Sequence, residues 1–335
     1  MAFRLRLVPD VTNWDFFKHQ FLTFGFSVAM MIASLVFVAV NGLNFGIDFQ
    51  GGTTIRTETT SPISVADYRA ALVPLNLGDV SITEVFDPAF AADKHVAQIR
   101  IQAQSGDEAI TPEVTTAAEA ALKAVDPAVV FASVESVGPK VSGELISIAV
   151  YSVLSATLAI LLYVWVRFEW QFAVGAVVAL VHDVLVTIGI FAAFQIKFDL
   201  TIIAALLTIL GYSINDTVVV FDRLRENLIK YKTMPLKEVM NLAVNETLSR
   251  TVMTSGTTLI ALIALLVLGG DVIRGFVFAM TWGVVVGTYS SVFVAKNIVL
   301  MIGLDRDKKP KDGGAEAFFT EDPEAQAKAA AKGQN

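Results

Sequence analysis

The 335-residue chain has no cysteine. That excludes disulfides and thiolate metal sites, although it does not identify a redox compartment. Charge is scarce too. Asp, Glu, Lys and Arg make up 17% of the residues, against 54% hydrophobic ones. With a mean hydropathy of +0.61, this points away from a soluble enzyme and toward an integral membrane protein. The formal charge is −7, so the chain offers no basic footprint for nucleic acid. No Gly-rich loop ends in Lys-Ser/Thr, which argues against an ATP motor. Gly211 lies five residues before Asp216, so the Gly-x-Gly-Asp pattern of intramembrane aspartyl proteases is missing. The chain reads as a non-enzyme.

Long apolar runs are what the chain has in quantity. A bilayer core takes about 20 apolar residues as helix. Six segments meet that length, at 21–41, 145–166, 172–194, 200–221, 251–268 and 275–302. The first is too long for a signal-peptide core and lacks a convincing small-x-small cleavage site. Lys and Arg near span ends set orientation. Arg4, Arg6 and Lys18 precede the first span, Arg167 follows the second, and Arg223, Arg225, Lys230, Lys232, Lys237 and Arg250 separate the fourth from the fifth. Arg306, Lys308, Lys309 and Lys311 follow the sixth, whereas the short loops of the other side carry only Lys197 and Arg274. Both termini are therefore expected in the cytoplasm, with an N-terminal segment over 1–20 and a disordered tail over 303–335.

Residues 42–142 form the large external loop and hold the whole charge imbalance, six Lys and Arg against thirteen Asp and Glu. Alternation predicts strands at Thr53–Glu58, Val80–Phe86, Val96–Gln104 and Val129–Val134. Helical periodicity predicts Val65–Leu75, opened by the capping box Ser64-x-x-Asp67, and Pro112–Val125, capped by Thr111. The order βαββαβ is the ferredoxin-like split unit, an α+β domain with its first and last strands antiparallel. Such a domain suits insertion between neighbouring membrane helices. Between spans four and five, at 222–250, a cytoplasmic loop is expected to carry an amphipathic helix with Leu236, Val239, Met240 and Ala243 on its apolar face. Lys237, Glu238, Asn241 and Asn245 are expected to face elsewhere, and the helix reads as a surface connector lying on the membrane interface or as a lever coupled to the spans.

Asp216 is the first candidate for function. A charged side chain at bilayer depth costs roughly 2.5–3.5 kcal/mol even on lenient scales, so it marks a proton or ion path or a structural pair. Desolvation favours the neutral carboxyl and a nearby cation the charged one; a group balanced between them can load and release a proton. Arg223 lies two helical turns on, and Arg250 begins span five, followed by Thr254 and Thr258 at one-turn intervals. Either arginine can serve as partner, and the hydroxyls can hold water. Asn215 joins Asp216, Arg250 and Thr254 as a candidate for the proton path, and Asp222 and Arg223 are candidates for a relay or for packing. His182 and Asp183 sit midway along span three, as a second relay station or a packing pair. Lys296 near the end of span six is expected to snorkel. Gly46-Ile47-Asp48-Phe49-Gln50-Gly51-Gly52 marks the exit from span one, with Asp48 reading as a turn carboxylate. Val137-Gly138-Pro139-Lys140-Val141 does the matching job at re-entry, so Gly46, Asp48, Gly51, Gly52, Gly138 and Pro139 are the candidate hinge residues.

These two motifs, with Gly211–Asn227 (GYSINDTVVVFDRLREN) and Asn245–Thr258 (NETLSRTVMTSGTT), resemble the SecF family, the smaller membrane subunits of bacterial SecDF protein-export complexes. The likeness covers about residues 4–304, and Ser142 stands where many relatives have glycine. The resemblance implies half of an RND-type transporter core, completed by SecD. It implies partnership with the SecYEG channel, YajC and unfolded secretory proteins, in the bacterial inner membrane with residues 42–142 periplasmic. It implies no cofactor, a proton gradient as energy source, and Asp216 and Arg250 as the important pair. The rival readings are an RND-like exporter of lipids or small molecules and a purely structural subunit.

Overall fold

The structure, a computed structural model, describes residue 9 and residues 12–78, 80–86, 90, 93–102 and 111–304. The expected tail beyond residue 304, the basic residues at its start, and the end of the third strand past Gln102 lie outside the described residues. Six helices are long and apolar enough to cross a membrane. They are α1 (Gln20–Asn41), α5 (Pro139–Arg167), α6 (Trp170–Phe194), α7 (Leu200–Lys230), α8 (Leu236–Leu268) and the run from α9 (Asp271–Ser290) through a π-helical turn (Ser291–Ala295) into α10 (Lys296–Ile302). Between α1 and α5 come a one-turn helix α2 (Ile47–Gln50), β1 (Gly52–Thr59), α3 (Val65–Leu72), β2 (Val80–Val85), β3 (His95–Gln102), α4 (Pro112–Val125) and β4 (Val130–Val137).

The inserted domain follows the expected order. Its sheet runs β2-β3-β1-β4 with every neighbouring pair antiparallel. Alternation along β3 sends Ala97, Ile99 and Ile101 onto Tyr68 and Leu72 of α3 and Ala118 and Leu122 of α4, where all are buried. Ser64 caps α3 by accepting the Asp67 amide. Thr111 occupies the N-cap of α4 without a side-chain cap bond, and Pro112 supplies the helical start.

The α6, α7 and α9–α10 spans form the inside of the bundle, with 44–56% of their most apolar windows buried, against 6–11% for α1, α5 and α8. The outer helices thus expose apolar side chains that a bilayer or another membrane helix tolerates. Close approach inside the bundle depends on missing side chains. A Cβ on Gly189 would collide with Ser34 of α1, and one on Gly283 with Ile209 of α7.

The connection after span four differs from expectation: the loop shrinks to residues 231–235, and the helix that starts after Pro235 is the beginning of the fifth span. α7 continues to Lys230, and α8 is one unbroken helix of 33 residues. No proline interrupts Leu236–Leu268, and the stripe of Val239, Met240 and Ala243 is buried against Phe17, Phe221 and Leu224 rather than laid on lipid. The amphipathic face is therefore a protein contact.

Two measurements check this description. Gly189→Leu is expected to destabilise the bundle by about 1–3 kcal/mol through overpacking at Ser34, read as a lowered unfolding midpoint in detergent. In the inserted domain, burial, then the charge and hydrogen bond of Asp126, push the Tyr68 hydroxyl up from 10.0 to about 12. Its neutral form therefore stabilises the fold below pH 10, and that contribution disappears as pH rises toward 12. Tyrosinate absorbance should lose its latest-titrating component in Tyr68→Phe.

Candidate functional site

α7 brings the buried polar groups of the bundle together. Asp216 stands in the middle of this helix and is only 3% exposed. Its Oδ2 has no hydrogen-bond partner among the described residues. The polar groups acting on the carboxylate come from α8: Ser255, Arg250 and Thr254. Ser255 also bonds Thr288 of α9 at 2.7 Å, so this patch joins three helices. Thr254 and Thr258 donate to the carbonyls of Arg250 and Thr254, which leaves their oxygens able to accept from water. Tyr212 reaches Thr258 at 3.4 Å.

The two arginines differ in what each one holds. Arg223 is bound by Glu246 at 2.8 Å and Glu226 at 2.6 Å. Asn227 bonds the same Glu246 oxygen at 2.6 Å. Arg250 is exposed, one turn before Thr254, and no ion pair joins it to Asp216. Asp222 pairs with Arg167 of α5 at 3.2 Å and so is a brace between helices rather than a neighbour of Asp216. These charged groups and Arg250 line a cavity of about 510 Å³ between α5, α7 and α8. Asn215 does not turn inward. With Ala204, Thr208 and Gly211 it forms a small, partly polar stripe on the exposed face of α7.

Asp183 has the opposite environment to Asp216. It is fully buried, and every oxygen is used: Oδ1 faces His182 Nδ1 at 2.9 Å, while Oδ2 accepts from Ser213 at 2.6 Å and Ser290 at 2.8 Å. The cluster knots α6, α7 and α9. His182 Nε2 is buried without a partner among the described residues. The arrangement fits a carboxylate held by three donors and gives Asp183 a cross-linking role. Asp183 and Asp216 do not form a carboxyl dyad.

The hinge motifs sit where the domain meets the bundle. Asp48 on α2 is more than a turn carboxylate, because its Oδ2 accepts the Leu200 amide, the first of α7, at 3.0 Å. Gly46 donates to the Phe198 carbonyl at 2.8 Å, and a side chain there would crowd Asp199 and Lys197. Gly51 and Gly52 take φ of 75° and 132°, which glycine alone adopts readily, and lead directly into β1. Gly138 is the N-cap of α5 and Pro139 its first residue. Ser142 is buried and reaches the Ile47 and Gly138 carbonyls at 3.5 and 3.3 Å, tying the two motifs together.

Sequence reasoning missed the clasp at the other end. Asn245 Oδ1 accepts from Thr12 Oγ1 at 2.7 Å and the Trp14 amide at 2.9 Å. Asn241 accepts the Phe16 amide at 2.9 Å, and both asparagines donate to the Trp14 carbonyl. Lys296 does not snorkel. It is 1% exposed, donates to the Phe16 carbonyl at 3.1 Å and lies 3.5 Å from the Phe17 ring centre. The i, i+4 spacing of the asparagines was the available signal, since it places both on one face of α8.

A six-span membrane protein with an inserted ferredoxin-like domain and a carboxyl group half-way along its fourth span is the class that this architecture defines. Two family models match: "Protein export membrane protein SecD/SecF, C-terminal" over residues 117–305 and "SecD/SecF GG Motif" over 36–63. Protein translocase subunit SecF of Cereibacter sphaeroides is 68% identical over 319 residues, covering 95% of this chain and 98% of that protein. The protein of the same description from Rhodobacter capsulatus is 68% identical over 326 residues, covering 96% and 98%. A crystal structure of SecDF, a translocon-associated membrane protein from Thermus thermophilus, superposes with a TM-score of 0.77 at 34% identity over 88% of this chain. SecDF in a super-membrane-facing form gives 0.65 at 35% identity over the same share. In each case the chain spans 39% of the SecDF polypeptide. The chain belongs to the SecF family of protein translocase subunits.

Removing Asp183 leaves buried His182 and Ser213 without their shared carboxylate, while Ser290 keeps the Gly287 carbonyl at 3.1 Å. Asp183→Ala is expected to cost about 3–5 kcal/mol in unfolding free energy, measured by thermal or denaturant melts in detergent. Asp183→Asn should cost less.

Proposed function

We propose that this chain is the proton-coupled SecF subunit of a SecDF complex that assists the Sec translocon. SecD supplies the other half of an RND-type core in the bacterial inner membrane. SecYEG and YajC are the companions, and unfolded secretory proteins are the substrate. In this reading both termini are cytoplasmic, the domain over 42–142 is periplasmic, and no cofactor takes part. The observation that carries it is Asp216, a buried membrane carboxyl with an unpartnered oxygen beside the hydroxyls of Ser255 and Thr254. A group left half-satisfied at this depth changes its interactions when it gains or loses a proton. Arg250 favours the charged form, and protonation releases that attraction. The small stripe of Ala204, Thr208, Gly211 and Asn215 is the face offered to SecD, because small residues let membrane helices approach closely. One proton moving through 100 mV releases about 2.3 kcal/mol, so repeated small strokes fit this source better than one large pull.

Asp216→Asn in the intact complex is expected to abolish gradient-dependent export while protein levels stay normal. Export by vesicles with and without a proton gradient measures this, and an unchanged gradient response would defeat the proposal. Gly211→Leu is expected to weaken co-purification with SecD by at least tenfold while leaving the monomer folded.

A further inference from the structure

We infer that Asp48 is the latch through which α7 moves the inserted domain. The inference rests on the reading of Asp216 as a proton carrier, and adds the route by which an event there reaches the domain. α7 runs from Leu200 without a proline, and Asp216 lies sixteen residues along it, roughly 24 Å from its start at 1.5 Å per residue. A displacement at Asp216 therefore arrives at Leu200 as movement of one stiff rod. At Leu200 the rod meets the Asp48 carboxylate at 3.0 Å. A carboxylate accepting an amide at a helix N-terminus is a charge-assisted bond reinforced by the helix dipole.

Neighbouring contacts make this junction firm. Phe198 and the segment before α2 exchange backbone bonds, Gly46 N–H to Phe198 O and Phe198 N–H to Asn44 O, each 2.8 Å. Phe45, Phe49 and Phe198 pack with ring centres 5.7–6.1 Å apart. The charged groups facing Asp48 are Arg100 from β3 and Lys197 from the turn before α7, and both also face Asp199. α2 then runs into β1, which pairs with both β3 and β4, so a pull on α2 acts on the middle of the sheet.

The domain has a second attachment. Phe86, just after β2, donates to the Asp271 carboxylate at 2.8 Å and accepts the Asp271 amide at 3.0 Å. Asp271 is the first residue of α9. The domain is thus held at the starts of α7 and α9, two helices packed on each other. Relative sliding of α7 and α9 displaces one of these points against the other, which tilts the line between them and the domain with it. Asp48 is a positioning residue in this scheme, since it touches neither the proton nor the exported chain.

This chain has no cysteine, so labelled cysteines placed in it permit a direct test in the full complex with a cysteine-free SecD in lipid nanodiscs. Spin labels at Ala120→Cys and Phe194→Cys report the domain against the bundle. Labels at Trp170→Cys and Ile229→Cys report α7 against α6. All four sites are exposed. Pulsed-resonance distances are measured at pH values either side of neutrality. Both pairs are expected to shift in the parent, and neither in Asp216→Asn. In Asp48→Ala the bundle pair shifts and the domain pair does not. Asp48→Asn, whose amide oxygen still accepts from Leu200, restores the domain shift. A parental domain shift in Asp48→Ala overturns the latch and leaves the proton reading standing. Loss of the bundle shift in Asp48→Ala also overturns it, since a latch requires α7 to move without the domain. Shifts that persist in Asp216→Asn defeat the proton reading, while the comparison of the two pairs in Asp48→Ala still decides the latch. No shift in the parent overturns both.

Discussion

A polar group inside a bilayer has no solvent to fall back on, so its satisfaction must come from neighbouring helices. That constraint organises this bundle. The buried hydroxyls and carboxylates converge on α7, the helix that touches α5, α6, α8 and α9. Within it Ser213 and Asp216 stand three residues apart and serve different ends. Ser213 feeds a closed set of donors around Asp183. Asp216 keeps an oxygen open. One carboxyl is fully paired and the other keeps an unpaired oxygen, although both are buried in the same stretch of protein.

The same constraint explains where the helices approach most closely. The Asp183 knot and the glycine contacts hold α6, α7 and α9 at close range. The outer helices have few buried side chains and exchange protein contacts for lipid or a second subunit at little cost. At the arginine-rich end, pairs such as Arg167–Asp222 and Arg223–Glu246 brace α5, α7 and α8 while leaving a cavity open beside Arg250. At the opposite end, contacts with the inserted domain fall on helix starts. The middle of the bundle is therefore the polar centre, and the two ends are where it is attached to other parts of the chain.

Much of this was legible in the residues. Six apolar runs and a period-two pattern in the loop were enough for the architecture, because both signals follow from burial alone. The cost of a membrane carboxylate singled out Asp216. What stayed hidden depended on long-range neighbours. Arg223 and Arg250 looked equivalent as partners until Glu246 and Glu226 proved to occupy the first. The apolar stripe of Val239 and Met240 looked like a lipid face, because periodicity gives a face without naming what covers it. Lys296 looked like a snorkelling lysine, since nothing local announces that a carbonyl and an aromatic ring from residues 16 and 17 will close over it. Asp48 read as part of a turn because its acceptor role needs an amide 152 residues away.

The π-helical turn at Ser291–Ala295 has a consequence of its own. A turn of this kind carries one more residue than the α-helix on either side. It therefore shifts the angular phase of the last span by roughly 100°. Before it, Gly283 and Gly287 address α7; after it, Lys296 and Val299 address the N-terminal segment and α6. A single span thus presents successive faces to two different seams. Deleting one residue from Ser291–Ala295 would bring the two halves into phase, and the wrong side chains would meet α6 and the N-terminal segment around Phe16 and Phe17.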